Sequence, residues 1–348
     1  MVDKKPPKIK IGLSVGDLNG IGMEVILKTL EDNRICELCT PIIYGSKKLT
    51  HYFLKTLNFK NFNFNTIDKV EKAKNGVINV LNLWEEVITI EAGNLNKEAG
   101  LYAYKSLKAL TEDLKEGKID AMVTAPINKK TIQSKEFNFP GHTEFLKVAD
   151  QAEDVLMLML SQESKIGVVT GHIPLKEVAG ALNEELILKK LVLLHAALKN
   201  DFGIRKPKIA VLGLNPHAGD GGLLGDEEEK IINPAIKQAK SIDILAFGPY
   251  PADGFFGSSN YKNFDGVLAM YHDQGLIPAK QFSFGEGVNF TAGLSFVRTS
   301  PDHGTAFEIA GQGVASEGSF RSALYQALEI VKNRRLNESL KANALLIK

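Results

Sequence analysis

Short apolar runs alternate with amphipathic segments along the chain. In segments such as 98–116, 183–200 and 226–240, apolar residues recur at the spacing of one helix face. The apolar runs have the length of buried strands, and they lie at 8–16, 41–45, 77–84, 121–127, 155–161, 165–172, 208–215, 242–250 and 266–273. Strands that alternate with helices predict an α/β fold whose sheet is largely parallel.

Turn-forming residues divide this pattern into two lobes. The chain has 348 residues, which is long enough for two lobes with separate cores. Proline and glycine turns cluster near 126–141 and 285–293. We therefore predict a first α/β lobe from 1–127 and 290–348. A second α/β lobe, 128–289, is inserted into it, with a cleft between the two.

Charge and composition exclude several classes of partner. The 42 basic and 41 acidic side chains leave a net charge of +1, which gives no electrostatic reason to expect nucleic acid. No apolar run approaches the roughly 18 residues of a membrane span, and no signal-peptide core follows the basic N-terminus, so we expect a cytoplasmic protein. Cys36 and Cys39 are too few for a disulfide framework; they are a redox pair or, as we favour, two small, partly buried residues.

Three histidines come at the ends of apolar runs: His172, His217 and His272. Parallel α/β sheets bind ligands at the carboxyl ends of their strands. Three neutral imidazoles with an open fourth position make a catalytic metal site, so we expect a divalent ion here. The alternative is three unrelated loop residues. Asp273, next to His272, is a supporting partner of the site, a ligand or a solvated turn residue.

A second group of residues suits an anionic substrate. His142 and Thr143 lie in a turn that opens a helix, where outward-pointing N–H groups favour a phosphate or carboxylate, although helix capping alone would also explain them. Lys280, Asn289 and Arg298 come later in the chain. Each alone is most often a surface residue, but fixed ammonium and guanidinium groups suit a phosphorylated or acidic substrate.

Familiar nucleotide and hydrolase motifs do not match. The glycine-rich loop 14–22 follows the first strand and opens a helix, but it fits neither the dinucleotide-binding fingerprint nor the P-loop pattern. The chain lacks a Gly-x-Ser-x-Gly motif, so a serine hydrolase is unsupported.

Motifs spread over nearly the whole chain carry a family resemblance. They are Gly16-Asp17, Gly20-Ile21-Gly22, Glu24, Thr124-Ala125-Pro126-Ile127-Asn128-Lys129, Gly141-His142-Thr143-Glu144, Asn215-Pro216-His217-Ala218-Gly219, Gly248-Pro249, Ala252-Asp253, Tyr271-His272-Asp273-Gln274-Gly275 and Arg298-Thr299-Ser300-Pro301-Asp302-His303-Gly304-Thr305-Ala306. On these motifs the chain resembles the 4-hydroxythreonine-4-phosphate dehydrogenase family of pyridoxal phosphate biosynthesis. The family's first loop usually reads Gly-Asp-Pro-Ala-Gly-Ile-Gly-Pro-Glu, and here Leu18, Asn19 and Met23 depart from it.

The resemblance implies an isopropylmalate-dehydrogenase-like fold, which is not a Rossmann fold. It also implies a homodimer whose active site borrows residues from the second subunit. A divalent ion (zinc, magnesium or cobalt) would be held by His172, His217 and His272, which would act in catalysis with Lys280.

The resemblance further implies which residues contact the substrate and the cofactor. The substrate contacts would be His142, Thr143, Lys280, Asn289 and Arg298. NAD or NADP would bind at a turn that looks like the adenosine-binding loop of the wider isopropylmalate dehydrogenase group, with His303, Gly304, Ala306 and Ile309.

The implied reaction oxidises 4-phosphohydroxy-L-threonine with NAD or NADP and decarboxylates the product to 3-amino-1-hydroxyacetone phosphate. Lys280 would either stabilise the enolate or bind the phosphate. One alternative is a related dehydrogenase for 4-phosphoerythronate, threonate 4-phosphate or a dihydrodiol carboxylate. Another is an acyltransferase like phosphate acetyltransferase, whose reaction needs no metal.

Overall fold

The computed structural model describes residues 7–343. The helices are α1 (Gly22–Glu31), α2 (Ile35–Leu38), α3 (Lys47–Thr56), α4 (Lys97–Lys115), α5 (His142–Asp150), α6 (Leu175–Ala181), α7 (Glu184–Asn200), α8 (Asn233–Ser241), α9 (Ala252–Gly257), α10 (His272–Ser283) and α11 (Gly318–Ala342). The strands are β1 (Ile9–Ser14), β2 (Cys39–Gly45), β3 (Asn65–Ile67), β4 (Asn79–Asn82), β5 (Ala121–Thr124), β6 (Leu156–Leu160), β7 (Lys165–Val168), β8 (Lys208–Leu212), β9 (Leu245–Tyr250), β10 (Gly266–Ala269), β11 (Val288–Ala292) and β12 (Val297–Pro301).

The chain divides into two compact units. Unit 1 comprises Met1–Ala152 and Leu294–Val331, and unit 2 comprises Glu153–Gly293 and Lys332–Lys348. The predicted lobes place segment 128–152 with the inserted lobe, whereas this segment belongs to unit 1 in the structure. The reason is an aromatic cluster in which Phe137 and Phe145 of this segment contact Tyr104 of α4, with ring centroids 5.7 and 6.2 Å away.

Unit 1 is built on an all-parallel sheet in the order β3-β4-β2-β1-β5-β12. Both faces of this sheet are covered, and every residue of β2 and β5 is buried. Helix α4 lies close to β1: a Cβ added to Gly12 would stand 2.1 Å from Leu110 Cδ1. A glycine is needed at that point for the helix to approach the strand.

Unit 2 has a mixed sheet in the order β11-β6-β7-β10-β8-β9. Strand β6 is antiparallel to both β11 and β7, whereas β7, β10, β8 and β9 are parallel to one another. The carboxyl ends of β7, β10 and β8 therefore meet at one edge of this sheet, and these are the strands that precede the three histidines.

The predicted α/β class with a largely parallel, mixed sheet is confirmed, and several boundaries shift. The run at 266–273 was expected to be strand throughout, but β10 ends at Ala269 and His272 begins helix α10. The predicted helix 226–240 starts as a π-helix, Glu228–Ile232, before α8. Of the helices that the structure describes, none combines the length and apolar character needed to span a membrane.

Cys39 is buried, and burial raises the pKa of its thiol to about 12. This agrees with our preference for two small packing residues over a redox pair, because the thiolate is the reactive form.

Candidate active site

The three histidine-bearing segments of unit 2 leave adjacent parallel strands. His172 follows β7, His272 follows β10 and His217 follows β8, in the spatial order of those strands. The rings of His172 and His272 lie together, with centroids 5.5 Å apart. The sheet thus explains why two histidines that are far apart in the chain become neighbours.

Side-chain hydrogen bonds tie the ends of these three strands to one another. Thr170 Oγ1 donates to Met270 O at 2.8 Å, which joins the end of β7 to the end of β10. Gln274 Oε1 accepts from Met270 N at 2.7 Å, while its Nε2 donates to Gly213 O at 2.6 Å just beyond β8. Gln274 therefore links the segment that carries His272 to the one that leads into His217.

The orientation of the His272 ring is set by its neighbour in the chain. His272 Nδ1 lies 2.6 Å from Asp273 Oδ1. With the proton on Nδ1, that nitrogen donates to the carboxylate and leaves the lone pair of Nε2 for a metal ion. Of the three roles considered for Asp273, this geometry favours the supporting partner.

The separation of the two imidazole rings is close to that of two ligands of one divalent ion. With metal–nitrogen bonds of about 2.0–2.1 Å and a tetrahedral angle, the two ring centroids would lie roughly 5 Å apart, close to the 5.5 Å observed. Within residues 7–343 of a single chain, no three His, Cys, Asp or Glu side chains come close enough to form a full metal site. One chain thus assembles part of the expected set, and His217 is not brought into it.

The backbone at His217 is unusual. His217, Ala218 and Asp220 have φ values of 53°, 52° and 44°. This is the left-handed region, which costs an L-residue roughly 1–2 kcal/mol. Such strain persists only where surrounding contacts hold it, and it clusters at functional sites.

Asn289, on β11 of unit 2, carries an unmet hydrogen-bonding group. Its Oδ1 is buried and has no hydrogen-bond partner. An orphaned buried acceptor costs about 1–3 kcal/mol, so a ligand that donates a hydrogen bond to it would remove that penalty. Lys280 is exposed on α10, the helix that begins at His272.

In unit 1, Arg298 on β12 is a buried cation, only 3% exposed. Its Nε and Nη2 donate to Thr124 Oγ1 of β5 at 3.1 and 2.8 Å. Burial lowers the pKa of Arg298 to about 10, and the charge of Glu144 acts in the opposite direction. A buried guanidinium held by a neutral hydroxyl is suited to bind an anion.

The positive charge of Arg298 acts on His142. Burial lowers the pKa of His142 well below its usual value, and the charge of Arg298 lowers it further. The ring is therefore neutral, and its Nε2 is buried without a hydrogen-bond partner. An anion that accepts a hydrogen bond from Nε2 would satisfy the imidazole, and the positive charge of Arg298 would attract it.

Helix α5 begins at His142, and Thr143 lies in its first turn. Phe145 anchors the same turn by packing on Phe137 and Phe139, with ring centroids 5.4 and 5.5 Å away. This aromatic support keeps His142 in place beside Arg298.

The residues predicted to bind the cofactor lie together in one turn after β12. These residues are His303, Gly304, Ala306 and Ile309. Ile21 N donates to Thr305 O at 3.1 Å, and a Cβ added to Gly20 would stand 2.8 Å from that oxygen. The glycine-rich loop predicted from the sequence therefore packs against this turn and hydrogen-bonds to its backbone.

Comparison with known proteins identifies the family of the chain. The family described as pyridoxal phosphate biosynthetic protein PdxA matches residues 37–327. A relative from Bacteroides thetaiotaomicron named 4-hydroxythreonine-4-phosphate dehydrogenase is 50% identical over 97% of this chain and 93% of its own. The chain belongs to this family.

Two further relatives are similar to this chain over nearly its whole length. The crystal structure of 4-hydroxythreonine-4-phosphate dehydrogenase from Klebsiella pneumoniae is 33% identical, with a TM-score of 0.83 over 94% of this chain and 99% of its own. A protein from Oceanobacillus iheyensis, provisionally named D-threonate 4-phosphate dehydrogenase, is 40% identical over 96% of this chain and 100% of its own.

The sequence did not predict a role for two polar residues of the family motifs, Gln274 and Thr124. Gln274 joins two strand ends, and Thr124 holds the guanidinium of Arg298. Both residues lie in motifs that carry the family resemblance, and this position was the available signal. Their partners, Gly213 and Arg298, are distant in the chain and follow only from the sheet order.

The stability of the protein is expected to fall below about pH 6.5 because of His142. The unfolded chain takes up a proton there that the folded chain, with its lowered His142 pKa, does not bind. The loss is up to about 1.4 kcal/mol per pH unit. In urea titrations at decreasing pH, the free energy of unfolding of the wild type should decline relative to that of His142→Gln. Parallel curves for the two proteins would refute the neutral, buried state of His142.

Proposed function

We propose that the chain oxidises 4-phosphohydroxy-L-threonine with NAD or NADP, and that decarboxylation then yields 3-amino-1-hydroxyacetone phosphate for pyridoxal phosphate synthesis. The relative that is 50% identical bears the name of this activity. The observations that carry the proposal are the buried guanidinium of Arg298, whose charge lowers the pKa of His142, and the unsatisfied Nε2 of His142. This pair provides a cation and a neutral donor, as a phosphate monoester requires.

Arg298, His142 and Thr143 would hold the phosphorylated end of the substrate. Arg298 supplies the charge, and Thr124 fixes its guanidinium from behind. Neutral His142 donates from Nε2, and Thr143 lies at the amino end of α5, where N–H groups favour an anion.

The histidines, Asn289 and Lys280 would act on the reacting part of the substrate. His172, His217 and His272 would hold the divalent ion, which when bound supplies Lewis-acid stabilisation of a substrate oxygen. Asn289 Oδ1 accepts a hydrogen bond from the substrate hydroxyl or ammonium group. Lys280 supplies an ammonium group that stabilises negative charge on the phosphate or on the enolate left by decarboxylation.

The dinucleotide, NAD or NADP, would bind at the turn of His303, Gly304, Ala306 and Ile309. Support comes from the left-handed backbone of Ala306, with φ of 44°, and from the backbone bond of this turn to the glycine-rich loop. These features hold the turn in one shape for a ligand.

A second copy of the chain would complete the metal site. Within one chain the structure pairs His172 with His272 and forms no group of three among the residues it describes. His172 and His217 are both exposed in the single chain, which leaves them accessible to a partner. Shared sites of this kind are a feature of symmetric homodimers.

Threonate 4-phosphate is a second candidate substrate, because a relative that is 40% identical is provisionally named for it. A substrate panel separates the two. We expect kcat/KM for nicotinamide reduction to be highest with 4-phosphohydroxy-L-threonine. Its charged amino group can donate a hydrogen bond to Asn289 Oδ1, and the corresponding hydroxyl of threonate 4-phosphate is a weaker donor. Asn289→Ala should reduce this preference. Higher kcat/KM with threonate 4-phosphate or 4-phosphoerythronate would overturn the assignment.

A further inference from the structure

A buried carboxylate lies inside the loop that carries His217. Glu228 is 2% exposed and begins the π-helix Glu228–Ile232. An ionised carboxylate taken out of water is costly unless hydrogen bonds compensate for it. Single-turn π-helices occur frequently at functional sites. A buried, ionised Glu228 therefore needs hydrogen-bond donors around it.

Both oxygens of Glu228 bind donors from the segment that leads into His217. Oε1 accepts from the backbone N–H groups of Leu214 and Asn215, both at 2.7 Å. Oε2 accepts from Asn215 Nδ2 at 2.9 Å. All three donors are neutral, so the carboxylate acts as an organising centre for this segment, two residues before His217.

The loop then turns tightly around the same carboxylate. A Cβ added to Gly219, whose φ is +81°, would lie 2.7 Å from Glu228 Oε2. A Cβ on Gly213 would lie 3.1 Å from Oε1. The left-handed run that begins at His217 thus wraps Glu228, whose hydrogen bonds offset part of the cost of that strained backbone.

We propose that Glu228 is the positioning residue for His217: its carboxylate holds the loop in the shape that presents the imidazole to a divalent ion. The proposal rests on the proposed function in that it takes His217 as a ligand. Glu228 itself does not touch the ion. Partners of this kind, which orient ligands, typically contribute 10- to 100-fold, as an order of magnitude, to metal affinity.

Glu228→Gln is the test variant, because it keeps Oε1 as an acceptor but places an NH₂ group against the Asn215 amide. Glu229→Gln is the matched control, since the neighbouring Glu229 is exposed and the charge change is the same. The readout is the Co²⁺ dissociation constant of the metal-free, folded protein, measured by competition with a coloured chelator. We expect binding about 10- to 100-fold weaker for E228Q and unchanged for E229Q.

A role limited to overall stability would lower Tm without this loss of affinity at temperatures where the variant is folded. A second effect is expected if Glu228 positions His217: E228Q should need more Co²⁺ for half-maximal turnover but approach the wild-type kcat at saturating Co²⁺. A purely stabilising role would not produce this effect. If E228Q fails to fold, Asn215→Ala is the substitute variant. It removes only the side-chain donor to the carboxylates of Glu228 and Glu227, and the same weakening of Co²⁺ binding is expected.

His217→Ala distinguishes failure of this inference from failure of the proposed function. If H217A binds Co²⁺ weakly and E228Q binds it as tightly as the wild type, the inference is overturned and the metal role of His217 stands. If H217A also binds as tightly as the wild type, the assignment of His217 as a ligand fails, and the positioning role fails with it.

Discussion

His172→Ala is expected to lower kcat/KM for 4-phosphohydroxy-L-threonine by about a thousandfold or more, because stabilisation by a correctly held metal ion is worth several kcal/mol. The ring is exposed beside His272, so its removal leaves no cavity and the fold should persist. Steady-state kinetics at saturating metal, with circular dichroism as the check on folding, measure the effect. His51→Ala, on α3 of unit 1, is the matched control and should behave as the wild type.

The same variants report whether the site is shared between subunits. Two inactive proteins, His172→Ala and His217→Ala, are unfolded together and refolded as a mixture. If His217 of one copy completes the pair of the other, mixed dimers contain one intact site and about a quarter of wild-type activity returns. A mixture of His172→Ala and His272→Ala should stay inactive. Failure of every pairwise mixture to regain activity would contradict a shared site.

Arg298→Met is expected to lower kcat/KM for the phosphorylated substrate by about 10- to 100-fold, mainly through KM, because a hydrogen bond to a charged group contributes about 1.5–3 kcal/mol. The buried site favours an apolar replacement of similar length, so folding should survive. The decisive comparison uses 4-hydroxythreonine without its phosphate. Its weaker turnover should barely change, and the preference for the phosphorylated substrate should therefore shrink.

Two further variants control for charge and shape at Arg298. Arg321→Met removes a positive charge from a half-exposed ion pair with Glu317 in the same unit, and it should have little effect. Arg298→Lys keeps the charge but loses the planar fork, so it should fall between Arg298→Met and the wild type. An equal loss of kcat/KM with and without the phosphate would contradict a phosphate-binding Arg298.

The fold class follows from the sequence because burial is encoded in local periodicity. Residues of β2 and β5 are mostly apolar and all buried, since both faces of a parallel sheet are covered. Periodicity does not report exact ends, and so the run through His272 was predicted as strand although the residue begins α10. Segment 128–152 packs with unit 1 through the contact of Phe137 with Tyr104, and local sequence patterns do not predict such a contact.

The site is less visible in the sequence than the fold. The positions of His172 and His272 after strands predicted a common edge, and the structure places their rings 5.5 Å apart. The partners that hold the site come from distant positions: Arg298 meets Thr124 across 174 residues. The left-handed backbone at His217 was also hidden, and Glu228 comes later in the chain than the residues whose N–H groups it binds.

The most direct test of the whole account is a single assay of metal-depleted protein with 4-phosphohydroxy-L-threonine. NAD and NADP are supplied separately, and reduced nicotinamide and released carbon dioxide are measured before and after addition of zinc, magnesium or cobalt. We predict that neither product forms until a divalent ion is added, and that the two then appear in equal amounts. Reduction that continues undiminished without metal, or none with any ion and either dinucleotide, would contradict the account.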